Sequence, residues 1–432
     1  MFRFAFPSTR DMHIGDLRIA LYNFMCATQA NDGLVIRIED GDRKNIIEGK
    51  DQEVLDMLAL FGISYTNVYY QSTHFKYHLQ FASTFLDRKK AFICFCTEKD
   101  IEAKKEKART QGQLYHYDGT CENLESNTVL NNPHSFVIRM KKPDHTIAYE
   151  DQIKGHTTYA PQEIDSFVIM GTDKYPTYTF ACACDDMLQG VSTIIRNEAL
   201  MLSSPKEEFI RNSLGYDQAI TYVHLPSILT LTGEEICTNE DAFSIQSLLD
   251  QGFMPESILN YLILLGNDTP VEIFNMQEAI TWFDIKRISQ SPVFFEHEKL
   301  CFINREHIKR LSNMELSKRI GFACENVGRM AKLYAEEVST TFEIKQKIDT
   351  LFAKKKFYPK FEQESEALQS LILNAPYLET FATFENYLLE HSTLKGDAFY
   401  KPLRYWLTGA EDGPELALLY PLLKNYLKEI VR

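Results

Sequence analysis

A chain of 432 residues is too long for one hydrophobic core and predicts two to four domains. Its 44% hydrophobic and 25% charged residues fit an ordinary soluble globular protein, and a net charge of −14 argues against non-specific polyanion binding while leaving room for RNA on a local basic face. There is no apolar run near the roughly 18 residues that span a bilayer and no basic-then-apolar leader, and the nine scattered cysteines are odd in number, so we expect a cytoplasmic protein with reduced thiols and no membrane association.

Phe2 to Phe6 alternates as a short strand. Leu17, Ala20, Leu21, Phe24 and Thr28 then recur at helical spacing, and Leu34 to Ile38 is a β-branched strand leading to Glu39-Asp40-Gly41-Asp42. Such a βαβ unit puts the turn Asp11-Met12-His13-Ile14-Gly15 at the carboxyl end of its first strand, where open α/β sheets bind ligands and helix N-termini favour phosphate. His13 and Gly15 read either as nucleotide contacts or as a capping histidine and a turn glycine.

Amphipathic helices follow over Asp51–Phe61 and His78–Leu86, and Thr97 with Asp100 makes a capping-box-like start to a charged helix over Asp100–Ala108. Cys94-x-Cys96 and then Cys121, with Tyr117 or His116 nearby, has the spacing of a zinc site; the alternative is that Cys94 and Cys96 face one side of a strand as small hydrophobes. Ser135–Met140 and Ile164–Met170 read as strands around a polar middle. Asp185-Asp186 is either charge at a helix N-terminus or part of a site, and Val191–Ile195 is a strand ending at Arg196. A helix runs from Pro205 to Leu214, Tyr222–Pro226 leads to a loop at Thr232-Gly233, and Pro255-Glu256 suits a helix start. From about 305 the pattern is helical, with apolar periodicity over Val327–Ala335, Ala367–Leu373 and Leu416–Leu427.

Arg3, the tetrapeptide His13-Ile14-Gly15-Asp16, Arg37-Ile38-Glu39-Asp40, Tyr117-Asp118-Gly119-x-Cys121, the stretch from Thr172 through Val191, and Gln251–Leu262 together resemble a bacterial glutamyl-tRNA synthetase of the class I aminoacyl-tRNA synthetase family. The resemblance implies an α/β fold: a Rossmann-like parallel sheet with an inserted acceptor-binding lobe, then an all-α C-terminal region. It divides the chain into the first half of the nucleotide fold (1–90), the inserted lobe (91–163), the second half (164–225), a stem-contact region with a lysine loop (226–304) and a helical, anticodon-binding-like domain (305–432). It implies a monomer that activates glutamate with ATP and Mg2+ and passes it to the 3′ end of tRNA, with zinc on Cys94, Cys96, Tyr117 and Cys121. By the same resemblance Arg3, Ala5, Glu39, Tyr178 and Arg196 bind glutamate, Arg3 to a carboxylate and Glu39 to the ammonium. His13 and Gly15 serve catalysis and ATP, and Glu198 also contacts ATP.

The departures from the family pattern are as informative as the matches. Where the family's first strand runs into Pro-Ser-Pro-Thr-Gly, this chain has Phe6-Pro7-Ser8-Thr9-Arg10, and after Arg196 only Glu198 survives within Asn197-Glu198-Ala199-Leu200. The family's Lys-Leu-Ser-Lys-Arg falls on Glu235, Ile236, Cys237, Thr238 and Asn239, which exchanges three cations for acidic surroundings at Glu234, Glu235 and Glu240. Leu316-Ser317-Lys318-Arg319 imitates that loop, but Ser312-x-x-Glu315 is a capping box, so these cations belong to a tail helix. Two readings follow: a glutamate–tRNA ligase with impaired activation, and an inactive or repurposed paralogue that binds tRNA or an amino acid.

Overall fold

Alternation along the first strand decides which residues serve the core and which the site. In β1 (Phe2–Pro7), Phe2, Phe4 and Phe6 are buried on one face, while Arg3, Ala5 and Pro7 share the other. The computed structural model describes residues 1–113, 115–236 and 241–431. Its chain forms two compact units, Met1–Ile245 with Leu262–Phe295, and Gln246–Tyr261 with Glu296–Arg432. The second unit therefore starts with a helical segment before 262 and resumes at 296, unlike the expected single boundary at 305.

The first unit is built on a seven-stranded sheet. Its other strands are β2 (Leu34–Glu39), β3 (Asn67–Tyr70), β6 (Ile147–Asp151), β7 (Gly155–Tyr159), β9 (Thr193–Asn197) and β10 (Thr221–Leu225), in the order β3-β2-β1-β9-β10-β6-β7. All neighbours are parallel except the β6–β7 hairpin. From β1 the chain winds outward to β2 and β3, and later returns on the other side of β1 as β9. The crevice over the carboxyl ends of β1 and β9 is thus a topological switch point. Between β1 and β2 runs α1 (Ile14–Gln29), whose buried Leu17, Ala20, Leu21 and Met25 lie along one helical face.

Further along, α2 is Lys50–Leu60, α3 Phe75–Asp87, α4 Glu98–Thr110, α5 Ser126–Leu130, α6 Tyr178–Leu188 and α7 Ser204–Leu214. Strands β4 (Ala91–Cys94), β5 (Val137–Met140) and β8 (Val168–Met170) form a separate antiparallel sheet. The inserted lobe therefore keeps β8, which was expected to reopen the main fold at 164, and surrenders β6 and β7 to the main sheet. The clue lay in Ile147, Tyr149 and Asp151, which alternate inward along β6 within a polar-looking stretch.

The second unit is helical. Its core gathers Met330, Ile344, Leu368, Phe384, Leu403, Trp406, Leu419 and Leu423. Helix Asn313–Arg319 is capped by Ser312 and Glu315; Lys318 is exposed and Arg319 makes a bidentate pair with Glu256, which suits a solvated helix face. Gly328 touches this helix so closely that a Cβ built on it would lie 1.7 Å from the Asn313 carbonyl oxygen. Gly328→Ala should cost about 3 kcal/mol or more despite alanine's better helix propensity, and denaturant unfolding of the variant checks this. Among the described residues no helix is long and apolar enough to cross a membrane.

Candidate functional site

The polar face of β1, the end of β2, the start of α1, the start of α6 and the end of β9 enclose a cavity of about 390 Å³. Arg3, Ala5, His13, Gly15, Glu39, Tyr178 and Arg196 all line it. Pro7, Arg10, Asp16, Asn197, Ala199, Leu200, Glu235 and Ile236 complete much of the wall, so most of the substituted positions face the same space as the retained ones. Cys237, Thr238 and Asn239 lie outside the described residues. Glu198, expected beside the nucleotide, is not part of the wall: its carboxylate pairs with Lys154 Nζ at 2.7 Å and accepts from the Ser227 amide at 3.0 Å.

Beneath Arg3 lies a buried ionic network that the sequence did not announce. Asp186 is 0% exposed; its Oδ1 accepts from Arg3 Nε at 3.0 Å and from Arg37 Nη1. Arg37 Nη2 reaches Glu39 Oε1 at 3.4 Å, and Cys182 Sγ donates to the same oxygen at 3.4 Å. Burial alone would raise the Asp186 carboxyl, but Arg3, Arg37 and Arg211 outweigh it and hold it well below the usual carboxylate range. Its neighbour Asp185 accepts from Gln71 Nε2 at 2.9 Å and sits between His74 and His78 at 2.9 and 2.8 Å. Both acids lie near the C-terminal end of α6, which rules out the helix N-terminal role; Asp186 supports Arg3, while Asp185 ties α6 to Gln71, His74 and His78. The signal was present: Phe180-Ala-Cys-Ala-Cys is wholly buried, and a helix that buried carries its acids inward.

Arg196 is held separately. Its Nη1 donates to Glu207 at 2.8 Å, Nη2 to Ser204 Oγ at 2.7 Å and Nε to His224 Nε2 at 3.2 Å. A guanidinium has five N–H donors, so two remain for a ligand. Tyr178, at the first turn of α6 and 45% exposed, closes the wall nearby.

One of the departures has a partner in the retained tetrapeptide. Arg10 grips Asp16 through two parallel hydrogen bonds, with Nη2 to Oδ1 at 2.8 Å, and its guanidinium lies 5.0 Å from the centre of the Phe6 ring. Asp16 also accepts from the His13 amide at 3.0 Å, fixing the first turn of α1.

In the small sheet, the ligand atoms of Cys94, Cys96 and Cys121 fall within 4.8 Å of one another. The Tyr117 hydroxyl lies 3.3 Å from Cys94 Sγ and 3.6 Å from Cys96 Sγ, while His116 is exposed. Arg139 donates to Cys94 Sγ at 3.4 Å and covers the Tyr117 ring at 4.3 Å. Burial would raise the Cys94 thiol, but hydrogen bonding to Tyr117 and Cys96 and the Arg139 charge bring it below its ordinary value.

A mostly parallel sheet with a cavity at its switch point, beside the start of α1, is the architecture of a nucleotide-binding α/β fold. The family model for class I tRNA synthetases (E and Q), catalytic domain, matches residues 1–302, and the chain belongs to that family. Over all 432 residues and the full length of each relative, it is 49% identical to glutamate–tRNA ligase 2 of Campylobacter jejuni subsp. doylei and 47% identical to glutamate–tRNA ligase 1 of Nitratiruptor sp.. Its fold is that of the glutamate tRNA ligase of Elizabethkingia meningosepticum solved in complex with its amino acid, with a TM-score of 0.83 at 22% identity, covering 99% of this chain and 97% of that one.

Proposed function

We propose that this chain is a glutamate–tRNA ligase that uses ATP with Mg2+ to activate glutamate and then esterifies the 3′ end of tRNA. The observation that carries this reading is the convergence of Arg3, Glu39, Tyr178 and Arg196 with His13 and Gly15 on one cavity. Arg196 offers its two remaining N–H groups to the side-chain carboxylate, and Arg3, anchored through Nε, offers its terminal N–H groups to the α-carboxylate. Glu39 receives the ammonium on the oxygen that Arg37 leaves open. His13 donates to a phosphate oxygen, and Gly15, around which a Cβ would meet nothing within 4 Å, leaves the backbone approachable. The α-carboxylate then attacks the α-phosphate and pyrophosphate departs; in the second step a terminal ribose hydroxyl of tRNA takes the glutamyl group and AMP leaves. No side chain becomes covalently attached, so rate rests on placement and on charge complementarity.

The same wall carries Glu235 where the family has lysine, and we infer slow activation from it. Glutamylation of purified tRNA isoacceptors at high enzyme concentration, with a tRNA-binding titration over salt, tests the reading. Glutamyl-tRNA is the expected product; salt-sensitive binding without product selects the repurposed paralogue instead.

We assign nucleotide binding to the main sheet, the acceptor end to the lobe of β4, β5 and β8, the stem to the segment after 226, and the anticodon arm to the helical unit of a cytoplasmic monomer. Cys94, Cys96, Tyr117 and Cys121 fit a tetrahedral zinc, three thiolates and a phenolate, with Arg139 offsetting their charge. The metal would tie β4 to the Tyr117–Cys121 turn and do no chemistry. Metal analysis of the purified protein should find about one zinc per chain, and Cys121→Ala should lose it together with thermal stability of this lobe.

A further inference from the structure

His224 and Asp151 belong to no role assigned above, yet both are buried directly behind Arg196. His224 pairs with Arg196 across β10 and β9, and Asp151 comes from β6 on the far side of β10. Ser204 Oγ accepts from Arg196 Nη2 at 2.7 Å and lies 3.0 Å from His224 Nε2; because Arg196 Nε–H also points at that nitrogen, Ser204 is the donor to it. That nitrogen also accepts from Arg196 Nε at 3.2 Å and must therefore carry no proton. The proton sits on Nδ1 and is donated to Asp151 Oδ2 at 2.6 Å. Asp151 is itself fixed by the amides of His224, Ile153 and Lys154 at 3.1, 2.8 and 2.8 Å. The order Asp, His, Ser is that of a hydrolytic triad, but Ser204 is 0% exposed and its oxygen is taken by Arg196, so it has no access to a substrate.

We propose that Asp151 and His224 are positioning residues for Arg196: by holding the imidazole neutral with its proton on Nδ1, they turn the guanidinium so that its two remaining N–H groups meet the carboxylate of the amino-acid substrate. This rests on the reading of Arg196 as the side-chain carboxylate's partner. Protonated His224 would turn an N–H towards Arg196 Nε–H, breaking the bond between them and setting two cations against each other, while Ser204 Oγ would accept from the imidazolium and keep only its bond from Nη2. The groups facing the ring are Asp151 and Tyr149 from β6, Arg196 from β9, Ser204 and Glu207 from α7, and Tyr222, stacked on it at 5.5 Å. Burial depresses the imidazole, Asp151 opposes this and Arg196 adds to it, leaving His224 below its ordinary 6.5. The neutral form therefore persists through neutral pH, and the device fails only in acid.

Calorimetric titration of L-glutamate into the full chain across about pH 5 to 8, for the wild type, His224→Ala and His224→Gln, tests this. Wild-type affinity should fall in the acid range, and His224→Ala should weaken binding on the order of 10- to 100-fold at neutral pH. His224→Gln keeps an acceptor towards Arg196 but no titrating ring, and should bind nearly as well as wild type with a flatter acid limb. The proposal is overturned if His224→Ala, shown folded by its thermal melt, binds like wild type, or if His224→Gln retains the full acid fall. Should His224→Ala not fold, the His224→Gln profile decides alone. Absence of glutamate binding by the wild type at any pH would instead overturn the glutamate reading itself, and the positioning role with it.

Discussion

Glu235→Lys combined with Thr238→Lys is expected to raise the rate of glutamyl-tRNA formation by about 10²- to 10³-fold, the usual effect of one donor aimed at developing charge. Glu235 lines the cavity and accepts from Ser227 Oγ at 2.8 Å, so a carboxylate is held on the wall beside His13 and Gly15, where the proposed function puts the phosphates. Two like charges about 4 Å apart near a protein surface repel by roughly 4 kcal/mol, and reversing one sign removes that cost and adds attraction. Position 238 is chosen from the sequence correspondence alone, since Thr238 lies outside the described residues. Initial rates of tRNA glutamylation for the double variant and wild type check the claim; an unchanged rate would mean that the loop does not face the phosphates.

Asp186→Asn should destabilise the protein by about 3–5 kcal/mol, because it strips the shared counter-charge from Arg3 and Arg37, both of them buried. The sign of its pH dependence follows from the depressed carboxyl. Its folded-state pKa lies below the ordinary 3.8, so the stability it contributes is present above that value and is lost as the pH falls through the folded-state pKa. Urea unfolding of the variant should therefore show lower stability at neutral pH and a flatter acid limb than wild type. Glutamate binding should also weaken, since Arg3 loses the bond that aims it; equal stability and equal affinity would leave the network without a role.

The sequence was most legible where periodicity and motif coincide. Alternation in Phe2–Phe6 predicted both the strand and its polar face, and the turn at His13-Ile14-Gly15 had to fall at the carboxyl end of β1. His13 and Gly15 were legible from that turn, but Arg3, Ala5, Glu39, Tyr178 and Arg196 came to hand through the family resemblance, because they lie far apart in the chain and only the strand order brings them together. What stayed hidden was their support. Asp151 and His224 are polar residues inside unremarkable stretches, where nothing local tells a buried group from a solvated one, whereas Asp186 was marked only by the apolar run before it. The strand swap between lobe and sheet was hidden for the same reason, since β6 meets β10 across some seventy intervening residues. Arg10 read alone as damage; only its contact with Asp16 shows the two to be complementary.

A crystal structure of this chain soaked with L-glutamate and a non-hydrolysable ATP analogue reaches the central claim most directly. The account predicts glutamate in the cavity over β1 and β9, its side-chain carboxylate on Arg196, its ammonium on Glu39 and the nucleotide phosphates beside His13 and Gly15. Glutamate bound elsewhere, or seated there with its carboxylates turned away from both Arg196 and Arg3, would contradict it.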